Sequence, residues 1–445
     1  MSQLLHPGQT VTMETSRSSC TVDSFLGGGG QGEVYKATVD GHPVALKWYF
    51  PWAATEAQRE ALERLVKRGA PNQQFLWPME LAYDPRVNGF GYVMPLRQPS
   101  YKGIVDMMAP LARRVVPSFR ALATAGFNLA NNYWQLHATG LCYRDISFGN
   151  VFFDPKTGDT LICDNDNVTY DGADGCDGVN GTPKFMAPEI VRGEARPSKH
   201  TDQYSLAVLL FYIFMKHHPL DGELEAQIKN MNFAAMEKLY GKEPIFIHDP
   251  NNPSNRPNEE FHSAVLTFWP MYPEFLQERF TQAFTSGLHD PQNGRVGETV
   301  WRADMIKLRD SIIYCPCGAE SFYDAKKVSA NGGKGPACWS CHNDIALPPR
   351  IRLGTGMKRR VVMLNYDTQL FPHHVDENAL YDFSTPVAEV TRHPVNGQWG
   401  LKNLQTSPWT ATRSGTQNAV DPGRSVSLAP GMRIHFGTTE GEINL

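Results

Sequence analysis

The stretch Tyr143-Arg144-Asp145-Ile146-Ser147-Phe148-Gly149-Asn150 decides the reading, together with Leu161-Ile162-Cys163-Asp164 a little further on. The first places Asp145 and Asn150 at D-x-x-x-x-N spacing. The second ends an apolar strand in a carboxylate, 14 residues after Asn150. Phosphoryl transfer asks little covalent chemistry of a protein but demands positioned groups. One carboxylate must orient and deprotonate the accepting hydroxyl, and a second carboxylate with an amide must hold a divalent cation against the phosphates. Asp145, Asp164 and Asn150 suit those roles in that order. A lone aspartate is more often a cap or turn residue, so the weight rests on the combination.

Upstream, Gly27, Gly29 and Gly32 stand at G-x-G-x-x-G spacing, with Gly28 and Gly30 between them and Val34 two residues beyond. Such a hairpin lets backbone N–H groups lie close over phosphates. On its own the pattern is also that of an ordinary glycine-rich turn. A Walker loop would need Lys-Ser/Thr after the last glycine, where Glu33 and Val34 stand. A dinucleotide fold would need a helix, where GEVYKATV reads as a strand running into an Asp40-Gly41 hairpin turn. Lys47, in Val44-Ala45-Leu46-Lys47, lies on the next strand and can reach the phosphates.

These elements resemble a eukaryotic-type protein kinase domain of the Ser/Thr class. The resemblance continues through Gly181-Thr182-Pro183-Lys184-Phe185-Met186-Ala187-Pro188-Glu189, Asp202 with Tyr204-Ser205-Leu206, His218-Pro219, and Arg295 with Trp301. It covers about residues 20–310 and implies a bilobal α+β fold, an N-lobe of about 20–96 and a C-lobe of about 97–310. It implies Mg-ATP as phosphoryl donor and a protein substrate. Asp145, Lys47, Asn150 and Asp164 are then the catalytic set, with Asn150 and Asp164 on magnesium. Gly27, Gly28, Gly29, Gly30, Gly32, Val34, Ala45, Lys47, Met94, Leu96, Asn150 and Asp164 are the nucleotide contacts. Glu189 and Arg295 are expected to form a buried ion pair. A helix glutamate is expected to pair with Lys47, with Glu60 the best spaced and Glu56 and Glu63 as rivals.

The departures from the family pattern matter as well. Asp164-Asn165-Asp166 replaces Asp-Phe-Gly, which removes an aromatic from between the lobes and brings a second anion near the metal. Tyr143 replaces a histidine, and Ser147 replaces the lysine that contacts the transferred phosphate. The alternative to an active enzyme is therefore a catalytically weak nucleotide-binding scaffold. Thr182 favours Ser/Thr over Tyr as acceptor. Arg144 beside the base suggests control by negative charge, from phosphorylated Thr169 or Tyr170 or from Asp171, Asp174 or Asp177.

At 445 residues the chain should form two or three domains. A net charge of -4 does not favour nucleic acid as a partner. The N-terminus MSQLLHPGQT has no signal-peptide pattern, and the apolar run Tyr204–Met215 is too short for a membrane span, so a cytoplasmic protein is expected. Residues before about 20 read as a lead-in, and Ala54–Arg68 and Ser118–Thr139 as helices.

Cys315, Cys317, Cys338 and Cys341 form two close pairs, the pattern of a structural zinc knuckle over 311–347. Free cysteines in a small core are the other option, and His342 is a substitute ligand. Residues 350–445 alternate like a small β-sandwich. The surroundings of His373-His374, Trp399–Asn403 and Ile434–Gly437 are faintly similar to forkhead-associated domains, although a partner-docking β domain fits equally. Kinase, zinc knuckle and tail together resemble bacterial kinases associated with tellurite-resistance and stress systems. That likeness implies a signalling role alongside a von Willebrand A-type protein and a PP2C-type phosphatase.

Overall fold

The computed structural model describes residues 3–172, 181–354, 356 and 359–445. The chain divides into two compact units, Met1–Phe268 with Glu278–Arg302, and Trp269–Gln277 with Ala303–Leu445.

The first unit begins with six antiparallel strands, β1 (Thr10–Met13), β2 (Ser19–Gly28), β3 (Gly32–Val39), β4 (His42–Tyr49), β5 (Glu80–Tyr83) and β6 (Gly91–Pro95). They close into a barrel in the order β1-β2-β3-β4-β6-β5. The expected lead-in before residue 20 instead supplies β1. Val11 and Met13 alternate inward with Val22, Tyr35, Ala37, Leu46 and Trp48 to fill the barrel, so period-2 burial outweighs a weak local pattern. Asp40 and Gly41 both take positive φ, at 48° and 80°, which suits a two-residue hairpin turn between β3 and β4.

Between β4 and β5 runs α1 (Glu56–Arg68), whose Thr55 N-cap accepts from the Gln58 N–H. The helical part of the unit is built on α2 (Phe119–Ala138), capped by Ser118. The short strand β7 (Lys102–Gly103) precedes it, and β8 (Leu141–Cys142), β9 (Val151–Phe153), β10 (Thr160–Ile162) and β11 (Thr169–Tyr170) follow it, then α3 (Pro188–Val191) and α4 (Lys199–Met215). The apolar run read in the sequence is the C-terminal part of α4, buried all round as a central helix should be. Barrel and helical part are joined by backbone bonds: Leu76 N–H donates to Ile162 O (2.8 Å) and Ile162 N–H to Gln74 O (2.9 Å).

In the second unit β12 (Ile312–Tyr314) pairs with β13 (Glu320–Phe322). The remaining strands are β14 (Arg350–Leu353), β15 (Arg360–Met363), β16 (Gln369–Leu370), β17 (Ala388–Arg392), β18 (Trp399–Asn403), β19 (Trp409–Arg413), β20 (Thr416–Val420), β21 (Ser425–Ser427), β22 (Arg433–His435) and β23 (Glu440–Asn444). They form a six-stranded sheet, β15-β14-β23-β22-β19-β20, and a four-stranded one, β16-β17-β18-β21. Ile351, Val390, Leu401, Trp409 and Ile434 from both sheets share one core. Residues Ala303–Asp310, expected with the kinase-like segment, group with this unit. Asp310 lies 3.4 Å from His374 and Arg309 stacks on Phe383, which accounts for the earlier boundary. Among the described residues no helix is long and apolar enough to cross a membrane.

Candidate active site

The turn before Asp145 is held from below. Asp202, on the first turn of α4, accepts from the backbone N–H groups of Tyr143 (2.5 Å) and Arg144 (3.0 Å), and Arg144 sits at φ 77°. A non-glycine residue keeps that conformation only when its surroundings enforce it. Both oxygens of Asp145 are then engaged. Thr182 Oγ1 donates to Oδ1 (2.6 Å), and Asn150 Nδ2 donates to Oδ2 (3.0 Å) and to the Asp145 carbonyl (2.8 Å). With its Nδ2 committed to Asp145, Asn150 has its amide oxygen to offer a cation. Tyr143 hydrogen-bonds the Cys163 carbonyl, so the replacement for histidine ties this turn to the residue before Asp164.

Asp164 is held in the left-handed region at φ 52°. Asn165 fills the position of the missing aromatic and is fully buried. Its Nδ2 donates to Leu76 O (2.9 Å) and Ile162 O (3.0 Å), so two hydrogen bonds stand in place of the aromatic of the family pattern.

Lys47 is buried on β4, and its ammonium lies 2.8 Å from Asp166 Oδ2 and 3.4 Å from Asp164 Oδ1. The expected helix glutamate is not its partner. Glu60 pairs with Arg64 (3.6 Å) and Glu63 with Arg59 (3.3 Å) on the outer surface of α1, and Glu56 is exposed in its first turn. The reason is rotation of the helix: it turns Gln58 inward, with Nε2 3.1 Å from Tyr49 Oη and 3.4 Å from Asp166 O. Burial alone would lower the Lys47 pKa. The carboxylates of Asp166 and Asp164 outweigh it and hold the ammonium well above the ordinary lysine range. Burial pushes the Asp164 carboxyl up against the pull of Lys47, and the Asp166 anion adds to the rise.

These groups open onto one cavity of about 650 Å³. Gly27, Gly28, Gly29, Gly30, Gly32, Val34, Ala45, Lys47, Met94, Leu96, Asp145, Asn150 and Asp164 all line it, as do Leu76, Pro95, Phe152 and Cys163. A Cβ on Gly27, Gly29 or Gly30 would meet nothing within 4 Å, so the hairpin borders open space. A Cβ on Gly32 would fall 2.2 Å from the Trp48 carbonyl, so only glycine fits that close approach to β4. The donor set fits a nucleotide with a hard divalent cation: backbone N–H groups and Lys47 for phosphate oxygens, and the Asp164 carboxylate with the Asn150 amide oxygen for the metal.

Comparison with known proteins agrees with this geometry. Residues 125–284 match the family model described as the protein kinase domain. That stretch of the chain is similar to a protein kinase domain. It is 27% identical over 218 residues to the DNA damage-responsive serine/threonine-protein kinase RqkA of Deinococcus radiodurans, covering 46% of this chain and 31% of the relative. It is 30% identical over 127 residues to protein kinase C-like 2 of Schizosaccharomyces pombe (26% and 11%), and 29% over 198 residues to CBL-interacting protein kinase 4 of Oryza sativa subsp. japonica (42% and 41%). The chain thus spans less than half the length of each of these relatives.

In the first unit Arg295 Nη2 lies 2.7 Å from Glu189 Oε2, the ion pair expected from the resemblance. Asp171 accepts from the Lys199 N–H, whereas Asp174 and Asp177 lie outside the described residues. Nε and Nη2 of Arg144 are buried and have no hydrogen-bond partner among the described residues.

Sequence reasoning missed several contacts. Thr182 on Asp145, Gln58 and Tyr49 around Asp166, and Gln31 reaching Asn167 (3.5 Å) are long-range pairings with no local signal. Asp166 was legible only as an added anion.

His137, at the end of α2, was also missed. Its Nδ1 is 2.8 Å from Glu298 Oε1 and its Nε2 3.0 Å from Asp202 Oδ2. Burial alone would drive its proton off, but the bonds to Asp202 and Glu298 outweigh that and raise its pKa to about 9, from 6.5. A histidine pKa raised on folding contributes stability that is fully present below its unfolded value and lost as pH rises through the folded one. Wild type should therefore lose roughly 3 kcal/mol between pH 6.5 and pH 10, on the scale of 1.36 kcal/mol per pKa unit. Denaturant titrations across that window should show the loss in wild type and a flatter profile in His137→Gln.

In the second unit the sulfur atoms of Cys315, Cys317, Cys338 and Cys341 all lie within 4.8 Å of one another. The Cys315–Cys341 and Cys317–Cys338 sulfur distances are 3.5 and 3.6 Å. Four thiolates around one zinc stand about 3.8 Å apart, so the cluster suits a tetrahedral ion. Each pair sits on a tight turn, closed by Gly318 N–H to Cys315 O (2.9 Å) and by His342 N–H to Cys338 O (2.9 Å). His342 thus serves the turn through its backbone and is not among the clustered ligands.

Proposed function

We propose that this chain is a Ser/Thr protein kinase that transfers the γ-phosphoryl group of Mg-ATP to a protein hydroxyl. The observation that carries the reading is the convergence of Lys47, Asp145, Asn150 and Asp164 on one cavity beneath the glycine hairpin. Asp145, oriented by Thr182 and Asn150, accepts the proton of the attacking hydroxyl. Lys47 and the hairpin N–H groups hold the phosphates in line with it. Asp164 and Asn150 would hold magnesium, which supplies positive charge at the phosphates. Ser147, buried beside this loop, provides no cation where the family has lysine. That favours a slow enzyme and is the observation behind the scaffold reading.

The cysteine cluster is read as a structural zinc site, and the two-sheet region after it as a surface that recruits partners, forkhead-associated-like or otherwise. The order of these modules supports the finer reading of a cytoplasmic bacterial stress-signalling kinase acting with a von Willebrand A-type protein and a PP2C-type phosphatase.

The test is transfer of labelled phosphate from Mg-ATP to the chain itself and to a generic acceptor, with Lys47→Ala alongside. Label that the variant loses, recovered as phosphoserine or phosphothreonine, is the expected result. Nucleotide binding without transfer would leave the scaffold.

A further inference from the structure

The kinase domain keeps the lysine of its phosphate site, but among the described residues no helix carboxylate turns toward it. The Asp166 side chain is fully buried, and its Oδ2 meets both the Lys47 ammonium at 2.8 Å and the Tyr49 hydroxyl. Its Oδ1 is buried with no hydrogen-bond partner among the described residues, so Lys47 is the cation that neutralises it. A carboxylate so deeply desolvated persists as an anion only beside such a cation. The Tyr49 hydroxyl is itself held by Gln58 Nε2 at 3.1 Å, which makes α1 a second support of the carboxylate. Asp166 stands where the family's Asp-Phe-Gly has glycine, two residues after the candidate metal ligand Asp164.

We propose that Asp166 is the positioning residue for Lys47, doing from the metal-binding loop what a helix glutamate would otherwise do. The proposal rests on the kinase reading above. It has a physical rationale in the charges. Lys47 sits between two carboxylates; with Asp164 turned to a cation, Asp166 still holds the ammonium in place. Anchor and metal ligand then belong to one short segment, and a carboxylate on α1 is not needed to assemble the site.

The test compares Asp166→Asn with Glu60→Gln and Glu63→Gln in the full chain. Asp166→Asn should lower kcat about fiftyfold and weaken affinity for a non-hydrolysable magnesium nucleotide about fivefold, because the ammonium loses its place mainly in the transition state. The two helix variants should leave both unchanged. Adding Gln58→Glu to Asp166→Asn returns a carboxylate to the same pocket and should recover about fivefold in kcat, which a merely structural role would not predict. Full activity in Asp166→Asn, loss in Glu60→Gln, or no recovery in the double variant overturns the proposal. If wild type transfers no phosphate, the kinase reading fails by itself, and nucleotide affinity in Asp166→Asn against Glu60→Gln still decides the role of Asp166. Should Asp166→Asn not fold, Tyr49→Phe removes one support of the carboxylate and should lower kcat about threefold; an unchanged kcat there also overturns it.

Discussion

Asp145→Asn should lower phosphoryl transfer about a thousandfold while leaving the KM for ATP within about twofold. The substitution is isosteric, so Thr182 and Asn150 can still meet a side chain of the same shape, 2.6 and 3.0 Å from where the carboxylate oxygens lie. What disappears is the acceptor for the hydroxyl proton. The candidate nucleotide contacts lie elsewhere in the cavity, on the glycine hairpin and Lys47. Steady-state kinetics on a peptide acceptor checks the split. A rise in KM with kcat unchanged would make Asp145 a binding group and remove it from the chemistry.

Removing metal from the cysteine cluster should unfold its surroundings. The core there is small: Ile313, Cys315, Cys338, Ile345 and Met363 are its buried members, and β12 and β13 have three residues each. In so small a core a bound zinc would be a main source of stability, since zinc binding of this kind is worth on the order of 10 kcal/mol. Purified protein should carry one zinc per chain. Cys338→Ser, or treatment with a strong chelator, should release it and remove a cooperative step from thermal unfolding, while Cys20→Ser should not affect zinc content. Protein that holds no zinc and melts identically with chelator would leave the four thiols as plain core residues.

Much of the candidate site was legible because its signals are local. The spacing of Asp145 and Asn150, the apolar strand ending at Asp164, the hairpin glycines and the lysine on the following strand are short-range patterns, and all these residues line the cavity. The helices read over Ala54–Arg68 and Ser118–Thr139 are α1 and α2, and the structure adds that Thr55 and Ser118 cap them. The strand at Thr10–Met13 was hidden because its burial depends on β2 and β5, neither of which its own four residues can specify.

The partner of Lys47 was beyond sequence reasoning. Glu56, Glu60 and Glu63 are all plausible by spacing, and Asp166 read only as a stray anion. Which of them meets the ammonium depends on the rotation of α1 about its axis and on the path of the chain after Asp164, both fixed by packing across the barrel and helical part. By itself, then, the sequence determined the candidate phosphate-handling set, the order of the elements after β1 and the pairing of four cysteines along the chain. Only the tertiary structure decided that a buried aspartate supplies the counter-charge of Lys47, because a buried ion pair is selected by three-dimensional desolvation and distance, which no linear spacing encodes.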